Sequence, residues 1–419
     1  MHPLFPPALR LPAVLFGAVL ALGGCGHDEP SGAPLLRWYV FDEPSGAFVE
    51  ATRRCNEAAA GRYRIETVAL PADADQQREQ LVRRLAARDT DIDLIGMDVI
   101  WTAEFAAAGW ILPWEGTAAA EAAAGRIAAT LDSATYDGRL WAVPFTSNAQ
   151  LLWFRTDRVA TPPSTWDDML DQAEALGRVG TIQAQGQRYE GLTVFFASLL
   201  ASAGGAILSD DGTAVALPEQ PTRRALAVMR ALATSPAADP GLPSNREDEA
   251  RLGFESGGST FMINYTFVWS SARSRAPELA AHMGWSRWPR VEPERPSRVT
   301  LGGLNIGVGA YTRRPALAFE AAACIAQAAH QRLAAVRGAL PPTIDALYQD
   351  PEVRAVLPFA DSLRATLRDA VQRPQTPLYN DVSLAISHTL HPMRSIDPER
   401  DVQRLREAVG RALRSEGLL

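Results

Sequence analysis

The chain is read as an α/β protein of two discontinuous lobes joined by a hinge, with a ligand cleft between them. Three observations predict this. At 419 residues the chain is long enough for two domains. Its first third alternates short apolar strands with helical patterns. Two long β-like segments, Leu140–Phe154 and Leu301–Val308, read as crossovers between lobes. The expected partition is 35–146 and 306–350 in lobe one, with 149–302 and 355–419 in lobe two.

The elements follow in order. Leu35–Phe41 (LLRWYVF) predicts a strand, broken by Asp42-Glu43-Pro44-Ser45-Gly46, and Phe48–Ala60 a helix. Arg64–Leu70 is the next strand, and Asp75–Ala87 has helical spacing with Leu81, Val82 and Leu85 on one side. Asp93–Met97 is a third buried strand, followed by a helix over Trp101–Gly109. This alternation is the mark of a parallel α/β unit buried on both faces. Pro144 lacks a ladder donor, so the chain is expected to change partners near it, with the crossover at 146–149. Thr165–Leu176 is a helix with Thr165 as N-cap. Gly191–Ala203 is another, ended by Gly204-Gly205. Helices are also expected over Pro221–Thr234, Glu247–Glu255, 314–330, 359–372 and 397–416, with a strand over Thr260–Ile263.

The N-terminus has its own logic. His2 and Arg10 precede an apolar run from Leu11 to Leu22, then Leu-Gly-Gly-Cys. This describes an export signal over 1–24. The run falls short of the ~20 residues that a bilayer span needs. The last four residues look like a lipobox, which implies a lipidated (palmitate-bearing) Cys25, with 25–34 (CGHDEPSGAP) as a flexible tether. The protein is then expected on the outer face of the cytoplasmic membrane. The alternative is a plain secretory signal with an incidental cysteine. Cys55 and Cys324 remain, and two cysteines in an exported chain suggest one disulfide. A pair of unlinked buried thiols is the other reading.

Composition excludes several functions. Net charge is −7, and no basic face is available for nucleic acid. All 41 cationic residues are Arg, which removes lysine Schiff-base and P-loop mechanisms. G-x-S-x-G, H-E-x-x-H and C-x-x-C are absent, and the six His show no metal-ligand spacing. No cofactor and no metal are expected.

Five phrases carry a family resemblance: DIDLIGMDVIWTAEFAAAGWILPW, GRLWAVPFTSNAQLLWFRTDRV, STWDDMLDQAEAL, FESGGSTFMINYTF and LGGLNIGVGAYTRRPALAFEAAACI. In order, and over nearly the whole mature chain, they resemble the family 1 extracellular solute-binding proteins of ABC importers. Within that family MDVIWTAEFAAAGW, TSNAQLLWF, SAGGAILSDDG, TLGGLNIGV and VQRPQTPLY are similar to the trehalose-binding lipoproteins of actinobacteria. The resemblance implies a periplasmic-binding-protein-like fold, a monomer, trehalose or a related α-linked disaccharide as ligand, and ABC permease subunits as partners. The paired cysteines match that subgroup too.

A sugar offers hydroxyls and apolar CH faces, so its host needs carboxylates, amides, Arg and aromatic rings. Asp98 ends the third strand, where it would accept hydroxyls or cap the next helix; the resemblance maps a sugar-binding Asp onto it. Asn148 in the first crossover suits a hydroxyl or satisfies its own turn. Glu247 opens a helix, a favourable place for any acid, and aligns with a ligand-contacting Glu of the subgroup. Tyr265 follows a buried strand, as a ring to stack on sugar or as core; the subgroup usually has Trp there. Gly302 and Gly303 would let backbone approach the ligand or act as hinge. Arg373, before Pro374, is the donor for ring or bridge oxygens, or else a surface Arg. Glu43 is a further candidate in the first strand–helix loop. Trp101, Trp110 and Trp141 read as packing. Two rivals remain. A glycoside hydrolase would use Asp98 and Glu247 as its carboxylate pair, and a scaffolding lipoprotein would bind no small ligand. Another oligosaccharide or a glycerophosphodiester is the alternative solute.

Overall fold

The computed structural model describes residues 32–71 and 73–416. The expected signal peptide, Cys25 and most of the tether lie outside these residues. The strands are β1 (Leu35–Phe41), β2 (Arg64–Leu70), β3 (Leu94–Asp98), β4 (Ile111–Leu112), β5 (Thr135–Tyr136), β6 (Arg139–Leu140), β7 (Ala142–Asn148), β8 (Leu151–Arg155), β9 (Thr181–Gln183), β10 (Ser259–Asn264), β11 (Met283–Ser286) and β12 (Gly302–Gly309).

They build two principal sheets. The first runs β2-β1-β3-β12-β4, with β7 also paired to β12. Here β1 lies parallel to β2 and β3, whereas β12 is antiparallel to β3, β4 and β7. Strand periodicity sorts its side chains. Leu36, Trp38 and Val40 enter one core with Phe48, Cys55 and Ala322, while Tyr39 enters another with Leu81, Leu85 and Phe105. The sheet is thus buried on both faces, as its apolar strands require. The second sheet, β11-β8-β10-β9, has β9 parallel to β10 and the other pairs antiparallel. Helices Trp166–Ala175, Glu190–Ser202, Glu219–Thr234, Tyr379–Leu390 and Arg400–Leu413 pack around it. The fold is therefore two α/β lobes. The chain enters the second from β7 to β8 and returns to the first at β12.

Two expectations are corrected. Pro144 does not end the first crossover strand. It stays inside β7 opposite Asn305, and a register shift between Leu304 and Asn305 accommodates it. Its carbonyl instead accepts from Arg126 Nε at 3.1 Å and Thr343 Oγ1 at 3.2 Å. The partner change comes later, at Ala149-Gln150, between β7 and β8. The helix expected over 314–330 is two, Pro315–Ile325 and Ala328–Gly338. The segment 306–350 touches both cores, with Ala334 in the first and Ala335, Ala339 and Tyr348 in the second.

Cys55 and Cys324 form a disulfide with Cα atoms 5.9 Å apart, joining helices Ala47–Ala59 and Pro315–Ile325. Among the described residues no helix is long and apolar enough to cross a membrane.

Candidate functional site

A cleft of about 620 Å³ opens between the lobes. That volume lies in the usual range for small-molecule sites. Its walls come from the ends of strands and the starts of helices. Asp98, Asn148, Glu247, Tyr265, Gly302, Gly303 and Arg373 all line it.

Asp98 is the last residue of β3 and lies at its carboxyl end, where open α/β sheets bind ligands. Its carboxylate does two jobs. Oδ1 accepts from Ile100 N at 3.1 Å, capping the turn Val99–Trp101, and from Arg373 Nη2 at 3.2 Å. Arg373 is only 7% exposed. Its loop is pinned by Val371 N to Val299 O and Leu301 N to Val371 O, each 2.9 Å. Nη1 reaches Glu190 Oε1 at 2.9 Å. Burial alone disfavours the Arg373 cation, but Asp98, Tyr379 and Glu190 outweigh burial and hold its proton more firmly than usual. Its Nε is a buried donor without a partner, in a residue that lines the cleft. Such a donor is costly unless an acceptor arrives.

Glu190 was missing from the sequence reading, and so was Tyr379. Glu190 accepts from Arg373, the Tyr379 hydroxyl and Ser383 Oγ. Burial pushes its carboxyl up against the pull of Arg373. A signal for it existed: the helix it heads, Glu190–Ser202, is buried on nearly every side, so an acid at its first residue has to find partners. Tyr379 opens a helix that the periodicity reading passed over.

The remaining candidates divide. Asn148 turns Oδ1 to Ala149 N at 3.0 Å, the turn role of such an amide. Glu247 opens its helix, with its carbonyl held by Asn264 Nδ2 at 2.9 Å. Its carboxyl is raised by burial, against the Tyr189 hydroxyl and Arg246 nearby. Tyr265 is half-buried, and burial raises its phenol as well. Gly303 has φ +137°, and a Cβ there would lie 2.3 Å from Thr146 O, so the sheet itself demands glycine. Gly302 has room: an added Cβ would meet Asn148 Cβ at 3.6 Å and Tyr265 Cε1 at 3.9 Å. Trp101, which read as packing, is buried yet lines the cleft, and Phe267 presents a ring 38% exposed. Glu43 is placed elsewhere. Its carboxylate accepts from Ala47 N at 2.8 Å and Ser45 N at 2.9 Å, heading the helix Ala47–Ala59. It does not line the cleft, because the helix's own N-cap, Gly46, has no side chain to offer.

A two-lobed α/β chain with a polar, aromatic-walled cleft matches a family model described as bacterial extracellular solute-binding protein, over residues 59–332. The chain belongs to that family. This solute-binding protein is 28% identical over 344 residues to a probable ABC transporter-binding protein of Deinococcus radiodurans, covering 78% of this chain and 81% of the relative. It superposes on maltose-bound MalE3 of T. maritima with a TM-score of 0.79 and 25% identity, covering 90% of this chain and 99% of that one. The GacH receptor of Streptomyces glaucescens gives a TM-score of 0.79 at 19% identity, with 91% and 99% covered, a likeness of fold.

Proposed function

We propose that this solute-binding protein binds trehalose or a related α-linked disaccharide and delivers it to the permease of an ABC importer. The observation that carries the reading is Arg373. A buried guanidinium touches Asp98 of the first lobe and Glu190 of the second, and its residue lines the cleft beside aromatic walls. Saccharide hydroxyls suit the carboxylates and the guanidinium that line the cleft, and rings such as Phe267 and Tyr265 suit the sugar's CH faces. The maltose named for the T. maritima structure supports a saccharide, and the relative described as an ABC transporter-binding protein supports the importer. The carboxylate-rich cleft disfavours an anionic glycerophosphodiester. The lobe partition given above and a lipid anchor on Cys25 belong to the same proposal.

Calorimetry against trehalose, maltose, sucrose, glucose and glycerophosphodiesters tests it. Trehalose is expected to bind, and to be recovered intact. Binding of none of them would sink the ligand class; release of glucose would move the chain to the hydrolases, with Glu247 as acid. Arg373→Ala and Asp98→Ala should each weaken binding by about 1–3 kcal/mol, the scale of hydrogen bonds to charged groups. Wild-type affinity in both variants would place the site elsewhere.

A further inference from the structure

The cleft holds more negative charge than its own cations answer. Eight carboxylates and three guanidiniums line it. Most are committed. Arg78 pairs with Glu104, with Nε to Oε2 at 2.7 Å. Arg373 serves Asp98 and Glu190. Arg246 lies 3.5 Å from Asp73, bonds Gln187, and sets its guanidinium 4.7 Å over the Tyr189 ring. Asp248 pairs with Arg251 at 3.0 Å, and Glu249 accepts from Arg246 N at 3.0 Å. Among the described residues this leaves Asp75, at the rim, Glu247, half-buried, and Glu249, held only by a backbone N–H, without an ion pair.

Glu247 stands out because of its neighbours. It lines the cleft beside Tyr189 and Tyr265, and its charge is felt by both phenols. The Tyr189 hydroxyl is buried beside the Glu247 carboxyl. A desolvated carboxylate flanked by aromatic rings is the chemistry that recognises an organic ammonium: the carboxylate supplies the counter-charge and the ring faces attract the cation. A divalent metal is a poorer fit. Among the described residues no three acids converge in the cleft to hold one; the one cluster of metal-ligating type is Cys55, Cys324 and His330, far along the disulfide.

We propose that the solute is an amino sugar whose protonated amine docks on Glu247 between Tyr189 and Tyr265. This rests on the saccharide reading and deepens it. Arg373 and Asp98 still face the sugar hydroxyls, so two parts of the cleft read two different groups of one ligand. The net charge of −7 adds a long-range pull on a cationic solute.

The test is calorimetry of the whole mature protein at pH 7 with trehalose and with its 2-amino-2-deoxy and 6-amino-6-deoxy derivatives, on wild type and Glu247→Gln. At least one amino derivative should bind roughly tenfold or more tighter than trehalose, as expected for a charge-assisted contact. Glu247→Gln should erase most of that preference while changing trehalose binding less, and circular dichroism should report the same fold. Trehalose binding with no gain for either amine would overturn the amine proposal and leave the saccharide reading standing. Binding of none of the three would overturn both. A preference that survives in Glu247→Gln would overturn the docking point.

Discussion

Single residues in this chain divide by what their charge is asked to do. Glu43 and Glu247 are both acids near helix starts, and sequence could not separate them. The structure does, because Glu43 spends its oxygens on Ala47 N and Ser45 N away from the cleft, whereas Glu247 lines the cleft beside the Tyr189 hydroxyl. Glu43→Ala should therefore cost roughly 0.5–2 kcal/mol of stability, as for a lost helix cap, with sugar affinity unchanged; denaturant melts and calorimetry check this. For Glu247 the sign of the pH effect is set by its raised carboxyl. Between the ordinary glutamate range and the raised value the folded chain holds a proton that the unfolded chain has lost. Stability from this group is then present at low pH and falls as pH rises through that window. Glu247→Gln removes the effect, so its melting temperature relative to wild type should climb from pH 5 to pH 8. A flat difference would show that Glu247 is not desolvated.

At the scale of elements, most of the fold was legible. The apolar strands 35–41, 64–70 and 94–98 and the capped helix after Thr165 are marked by local pattern, and local pattern survives folding. The partner switch near Pro144 was misplaced because a register shift, which depends on β12 far away in sequence, decides where the ladder tolerates proline. Tyr379–Leu390 was overlooked, and with it the hydroxyl on Glu190, since that helix is buried along Tyr379, Val382, Ala385 and Ile386 against partners remote in the chain. Glycines tell a similar story, for two neighbours carry different burdens. Gly303→Ala should destabilise the protein by about 1–3 kcal/mol, through its positive φ and its clash with Thr146 O. Gly302→Ala meets only ordinary contacts and should keep stability while narrowing the cleft beside Tyr265. Paired thermal melts and binding isotherms distinguish the two. The disulfide ties helix to helix within the first lobe across 269 residues. Cys55→Ser with Cys324→Ser should lower stability, by up to about 5 kcal/mol in the chain-entropy view, and leave sugar affinity in place.

The whole molecule must do something that neither lobe does alone, which is to close. Closure needs contacts that differ between the open and closed forms. One contact spans the cleft: Asp98 of the first sheet on Arg373 of the second lobe, at 3.2 Å, with the Arg373 side chain 6% and the Asp98 side chain 30% exposed. The rim pair Arg246–Asp73 at 3.5 Å is more open, with side chains 45% and 38% exposed, and exposed pairs contribute little. The buried bridge should therefore bias the empty protein toward closure, and a solute would add its own bonds to the same Arg373. Asp98→Asn tests this at the right scale. It keeps the size and the cap to Ile100 N while removing the charge that faces Arg373. In small-angle scattering the empty variant should show a larger radius of gyration than the empty wild type. With saturating sugar the two should converge, because ligand bonds then span the cleft in both. An unchanged radius in the empty variant would mean that uncharged links hold the lobes, such as Gln372 Nε2 on Ala129 O at 2.5 Å. The Asp98–Arg373 bridge would then be a binding feature alone.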